Sequence, residues 1–116
     1  MITGKPEIFI YSNGGAPDLL GEICAGIEEE GLLYKVVEMA GDVDTLAFGA
    51  AADSMLGAGI GICQKTAAMQ MRALPVGKNV FKVADSSRMQ CRLLGANSAR
   101  AVKKLPFRQI ESEDGI

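Results

Sequence analysis

Two spacings of apolar residues run along this chain, one near two residues and one near three and a half, and their changeovers divide it into elements. Glu7 to Tyr11 (E-I-F-I-Y) is a short apolar run rich in β-formers and predicts a buried strand. Ser12 to Ala16 is a Gly-rich turn, and Pro17 suits the first position of a helix, where its missing N–H would have no partner anyway. That helix is predicted to about Glu30, with Leu20, Ile23 and Ile27 on one face and Asp18, Glu22 and Glu29 lining the opposite one. Gly31 is placed to cap its C-terminus, and Leu32 to Glu38 predicts a second strand.

Val43 to Asp53 predicts a small-residue helix with Leu46, Phe48 and Ala50 available for packing. Gly57 to Cys63 (G-A-G-I-G-I-C) predicts a central strand whose glycines let neighbouring elements come close. Ala67 to Ala73 sets Met69, Met71 and Ala73 against Gln70 and Arg72, the alternation of a half-buried strand. Val80 to Val83 predicts a final short strand. Ser87 and Gln90 have the spacing of a capping box, and the helix they open runs to about Leu105, where Pro106 stops it.

Strands separated by helices in the order β-α-β-α-β, then β-β-α, predict a mixed α/β sheet with helices on both faces. The Cys63–Ala67 connection is too short for a parallel crossover, so the strand over 67–73 is expected to run antiparallel to its neighbours. At 116 residues there is room for one domain, 1–116, and no internal repeat divides it.

Composition narrows the function. With 48% hydrophobic and 22% charged residues the chain is a folding sequence, not a disordered one. No apolar stretch approaches the roughly 20 residues that cross a bilayer. Met1 to Lys5 has no apolar core of a signal peptide, so a cytoplasmic protein is expected. Cys24, Cys63 and Cys91 are odd in number and widely spaced, which fits reduced thiols and neither a zinc knuckle nor a disulfide framework. Histidine is absent, which removes Ser-His-Asp and Cys-His catalysis and every imidazole metal site.

The formal charge of −2 hides an asymmetry. Residues 1–58 carry ten acids against Lys5 and Lys35, residues 59–108 carry ten bases against Asp85, and the tail adds Glu111, Glu113 and Asp114. Such polarity suits a protein–protein surface better than nucleic acid, and two tyrosines, four phenylalanines and no tryptophan leave few platforms for stacked bases. Arg88, Arg92, Arg100, Lys103 and Lys104 are expected over the outer side of the last helix, opposite Cys91, Leu94, Ala101 and Leu105.

Candidate chemistry is sparse. Gly59 to Thr66 (G-I-G-I-C-Q-K-T) misses the phosphate-cradling pattern, because Gln64 stands where glycine is required. Ser12 to Gly15, between a strand and a helix N-terminus, is the better-shaped anion candidate, although its spacing matches no dinucleotide fingerprint. Glu28-Glu29-Glu30 opposes the macrodipole at a helix C-terminus, so either these carboxylates are simply solvated or something compensates them; a hard cation would be one such group. Met69 and Met71 read as core filler.

Gly26-Ile27-Glu28-Glu29-Glu30-Gly31 and the stretch from Leu94 to Phe107 (L-G-A-N-S-A-R-A-V-K-K-L-P-F) resemble the small subunit of the diol/glycerol dehydratase-reactivating factor. Further similarity runs through Ala52 to Gly61 and Leu74 to Phe81, so the likeness spans about Ile8 to Phe107. The sequence departs from the family at Asp53-Ser54-Met55, at Gly77-Lys78-Asn79 and in the histidine-free loop Ser12 to Ala16. The resemblance implies a three-layer α/β/α sandwich whose mixed sheet has about five strands, one of them antiparallel. It also implies a noncatalytic subunit in an adenosylcobalamin system, partnered by a large chaperone-like ATPase in a heterotetramer of two large and two small subunits. That factor releases damaged cobalamin from inactivated diol or glycerol dehydratase, the small subunit giving way to the dehydratase's medium subunit. ATP and cobalamin are then held by partners, while Glu29 helps ligate a magnesium ion shared with the large subunit and Glu28, Glu29 and Glu30 form the partner interface. The implied setting is cytoplasmic, at a bacterial microcompartment. Two other readings stand beside it: a medium-subunit relative that contacts cobalamin within a dehydratase, and a small-molecule-binding α/β domain using the Ser12–Gly15 loop.

Overall fold

Ile8 and Ile10 on one side of the first strand, Phe9 and Tyr11 on the other, are all buried, so this strand must be covered on both faces. The computed structural model describes residues 5–110, which leaves the acidic tail at Glu111, Glu113 and Asp114 outside the described residues. In chain order the elements are β1 (Glu7–Asn13), α1 (Pro17–Glu29), β2 (Leu33–Glu38), α2 (Val43–Asp53), β3 (Ala58–Cys63), β4 (Thr66–Met71), β5 (Phe81–Val83) and α3 (Arg88–Val102). The sheet order is β2-β1-β3-β4-β5. β1 pairs in parallel with β2 and with β3, while β4 is antiparallel to both β3 and β5. The sheet is therefore mixed, with β4 as its one reversed strand, as the short connection predicts. Gln64, at φ 52°, turns the chain between β3 and β4.

The isoleucines Ile8, Ile10, Ile60 and Ile62 pack with Leu19, Ile23 and Ile27 of α1 and Leu94 of α3. Phe9 and Tyr11 pack instead with Leu46 and Ala50 of α2. Successive strand residues point to opposite faces, so α1 and α3 cover one side of the sheet and α2 the other. Gly59 and Gly61 explain how α2 sits so low. A Cβ on Gly59 would stand 2.6 Å from the Ala50 Cβ, and one on Gly61 would stand 2.5 Å from the Ala47 nitrogen. The close approach expected of these glycines is a helix backbone lying on β3.

Three expectations change. Leu19, not Leu20, is the buried leucine of α1, with Leu20 only partly covered at the edge of the core. β4 is not half-buried: Ala67, Ala68, Met69 and Gln70 are all inaccessible, because α2 reaches across to cover the face that Gln70 occupies. Gln70 survives there by donating its amide to the carbonyls of Leu74 (2.9 Å) and Pro75 (3.2 Å), which shapes the following turn. α3 ends at Val102, short of Leu105. Lys104 adopts φ 59°, and its N–H and that of Leu105 return to the Ala101 and Arg100 carbonyls, closing a Schellman motif. Gly31 does the same for α1, with φ 84°.

β2 forms one edge of the sheet. α2 packs over β1, β3 and β4, so the α2-facing side of β2 is thinly covered and Leu33 is 61% exposed.

Candidate functional site

The two stretches that carry the family resemblance meet in space. α1 and α3 lie against each other with their backbones in contact, at Gly26 and Gly95. A Cβ on Gly26 would stand 2.7 Å from the Ala96 nitrogen and would overlap the Arg92 carbonyl oxygen. A Cβ on Gly95 would stand 2.9 Å from the Ile23 carbonyl carbon. Only glycine at both positions allows this approach.

Contact this close brings the acidic stripe of α1 against the basic residues of α3. Arg88 pairs with Asp18 (3.3 Å), Arg92 with Glu22 (2.8 Å) and Glu29 (3.4 Å), and Arg100 with Glu30 (3.2 Å). Lys103 Nζ donates to the Glu30 carbonyl oxygen at 2.6 Å. The arginines expected on the outer side of the last helix thus turn toward α1, because α1 offers carboxylates at matching heights. The opposite charges of the two halves of the chain meet here. The hydrogen bond from Arg88 holds the Asp18 carboxyl below its usual range, and the one that Arg92 donates to Glu22 pushes the Arg92 guanidinium up. A groove of about 340 Å³ opens beside this ladder, lined by Glu22, Arg88, Met89 and Arg92.

Beyond α3 the chain folds back. Asn97, fully buried, donates its amide to the Arg108 carbonyl and accepts from the Arg108 N–H, both at 2.7 Å, as a neighbouring strand would. Arg100 Nε donates to the Pro106 carbonyl at 2.6 Å, and Phe107 meets Phe81 edge-on at 5.1 Å. This strap ends with Arg108 Nη1 at 3.3 Å from Glu29 Oε1, while Arg92 faces Glu29 Oε2.

The three adjacent glutamates consequently differ. Glu30 is buried to 11% side-chain exposure and held by Arg100. Glu29 is 39% exposed and bracketed by two guanidiniums. Glu28 is exposed and lies near Cys24 and Tyr34. The macrodipole cost at this helix end is offset by arginines and a lysine from α3 and the strap. Among the described residues no group of three or more Cys, Asp or Glu side chains converges to hold a metal ion. Glu29 presents one half-exposed carboxylate, the type of oxygen donor that a hard cation takes.

At the other candidate, the Ser12–Gly15 loop, the amides are already used. Gly14 N–H donates to Glu38 Oε1 (3.2 Å), Gly15 N–H to Ser12 Oγ (3.0 Å) and Ala16 N–H to the Gln64 carbonyl (3.0 Å). With a carboxylate beside it, this loop is a poor anion cradle. Burial pushes all three cysteine thiols up, which suits inert packing.

Sequence reading by periodicity missed Asn97 and Arg108. Asn97 carried a signal, since it stands three residues after Leu94 and four before Ala101, a polar side chain on an apolar stripe. Arg108, beyond the helix, had none.

A mixed α/β sheet with one reversed strand, and against it a helix pair locked together by glycines, define the class of domain. A family model described as the dehydratase medium subunit matches residues 5–108, and the chain belongs to that family. It is 34% identical over 109 residues to the propanediol dehydratase-reactivating factor small subunit of Citrobacter freundii, covering 92% of this chain and 94% of that one. It is 34% identical over 110 residues to the diol dehydratase-reactivating factor small subunit of Klebsiella michiganensis, covering 93% and 88%. Among solved structures, a glycerol dehydratase reactivase superposes with a TM-score of 0.86 at 28% identity, over 92% of this chain and 100% of that one. A diol dehydratase-reactivating factor complexed with ADP and Mg2+ superposes with a TM-score of 0.85 at 32% identity, over 91% and 100%. No helix among the described residues is long and apolar enough to cross a membrane.

Proposed function

We propose that this chain is the noncatalytic small subunit of a chaperone-like reactivating factor, which uses ATP on a large partner subunit to release damaged cobalamin from inactivated diol or glycerol dehydratase. The observation that carries the reading is a double likeness over nearly the whole chain: to the dehydratase medium subunit as a family, and to reactivating-factor small subunits as individual relatives. A subunit built like the medium subunit can vacate a surface that the medium subunit then occupies. That is the geometry subunit exchange requires. The ADP and Mg2+ named for the related factor support a nucleotide and magnesium in such a factor; in this proposal the large subunit holds the nucleotide and the ion lies between the subunits. On this side Glu29, exposed and one turn from the glycine-locked contact at Gly26, is the carboxylate that would hold the ion.

Reactivation assays test the whole reading. The large subunit together with this chain should restore a cobalamin-inactivated dehydratase in the presence of ATP and Mg2+, and this chain alone should neither restore it nor hydrolyse ATP. Tight cobalamin binding by the isolated chain would favour a dehydratase component instead, the reading that the family's description supports. Glu29→Gln keeps size and helix propensity while removing the charge. It should weaken association with the large subunit and leave thermal unfolding of the isolated chain nearly unchanged, because both of its ion pairs are long and half-exposed.

A further inference from the structure

Each oxygen of the Glu29 carboxylate faces a guanidinium, Arg108 on Oε1 and Arg92 on Oε2. The two arginines are not equivalent. Arg92 has a second and shorter partner in Glu22, at 2.8 Å, which holds it whatever Glu29 does. Arg108 has Glu29 as its only ion pair among the described residues, and its backbone is fixed by both hydrogen bonds of the buried Asn97. Phe107 against Phe81 and Arg100 on the Pro106 carbonyl fix the residues just before it. The chain thus keeps a cation of its own on the carboxylate, mounted on a strap whose anchors lie elsewhere.

We propose that Arg108 is an internal competitor for the divalent cation at Glu29, and that Asn97 is the residue positioning it. The proposal rests on the reading of Glu29 as a metal ligand shared with the large subunit. At 3.3 Å, and with the Arg108 side chain 48% exposed, the pair is loose enough to open when a dication offers direct oxygen ligation. Until then the carboxylate is neutralised inside the chain. The small subunit would therefore bind its partner only where magnesium is plentiful enough to displace Arg108, and on loss of the ion the arginine would return and favour release.

The test measures association of the purified chain with the large subunit of a diol dehydratase-reactivating factor, by titration calorimetry across a magnesium chloride series at constant ionic strength. Arg108→Ala should lower the magnesium concentration for half-maximal association by about two- to fivefold, the span expected of one exposed ion pair. Asn97→Ala, where it folds, should shift it the same way. Lys104→Gln removes an equal charge from an exposed position four residues before Arg108 and should leave the curve in place. Glu29→Gln should abolish the magnesium dependence. An unchanged curve in Arg108→Ala, or an equal shift in Lys104→Gln, overturns the competitor while leaving Glu29 as ligand. A wild-type curve in Glu29→Gln overturns both.

Discussion

Adding one methyl group at Gly21 and at Gly95 should move stability in opposite directions. Both are helix-interior glycines, and helix propensity alone favours alanine at each by about 1 kcal/mol. Gly21 faces open space, so Gly21→Ala should raise stability by roughly that amount. At Gly95 the new Cβ would overlap the Ile23 backbone, which cannot rotate away as a side chain could. Gly95→Ala should therefore cost about 3 kcal/mol or force α1 and α3 apart. Urea unfolding of the two variants beside wild type checks both signs. No periodicity distinguishes these glycines: each interrupts a helical pattern in the same way. Only the partner helix, distant in sequence, makes one dispensable and the other not.

Between elements, the ladder joining α1 to α3 should be unequal along its length. Glu30 and Arg100 are the most covered pair, at 11% and 23% side-chain exposure, and Arg100 also holds the Pro106 carbonyl. Arg100→Ala leaves a nearly buried carboxylate without its partner and should cost about 2–3 kcal/mol. Arg88→Ala, whose pair with Asp18 is open to water, should leave the Tm of the chain unchanged within error. Calorimetry at low and high salt separates them, since screening acts on the open pair and spares the covered one. Element types and order were legible because each strand or helix declares its own period. β4 was misread as half-buried because α2 is wide enough to cover a third strand, and Gln70 finds its hydrogen bonds in its own following turn. The acidic stripe of α1 was legible as a stripe. Its partner was not, because a solvated basic face and a paired one have the same spacing.

For the whole molecule, the absence of histidine sets the shape of the pH–stability curve. Asp44, which accepts hydrogen bonds from Asn79 and Lys82, and Asp53, which accepts from the Tyr11 hydroxyl, are both held below their ordinary 3.8. A depressed carboxyl stabilises the fold above its unfolded value and loses that contribution as pH falls through the folded one, so stability should drop below about pH 4. Cys24 and Cys91 are raised above 9.0 by burial, and Tyr11 above 10.0 by burial and by Asp53. Their protonated forms are favoured by the fold, so stability should decline again as pH rises past about 9. Between about pH 5 and 7 the curve should be flat, because no side chain with an ordinary pKa titrates there. Chemical denaturation at a series of pH values checks both limbs and the plateau.

The thin cover over β2 has a consequence for how concentrated this protein can be. Its outer edge carries a six-residue segment, L-Y-K-V-V-E, with backbone donors and acceptors unclaimed by any strand of its own sheet. Lys35 is the charge in the middle of that segment, on the same side as the exposed Leu33. Burying a lysine against a second sheet edge is costly, so Lys35 works as a gatekeeper against edge-to-edge growth. Lys35→Val would improve local β-propensity and remove that obstacle. The variant should fold as wild type does when dilute, yet scatter light and form thioflavin-positive aggregates as concentration rises, while the wild-type chain stays clear.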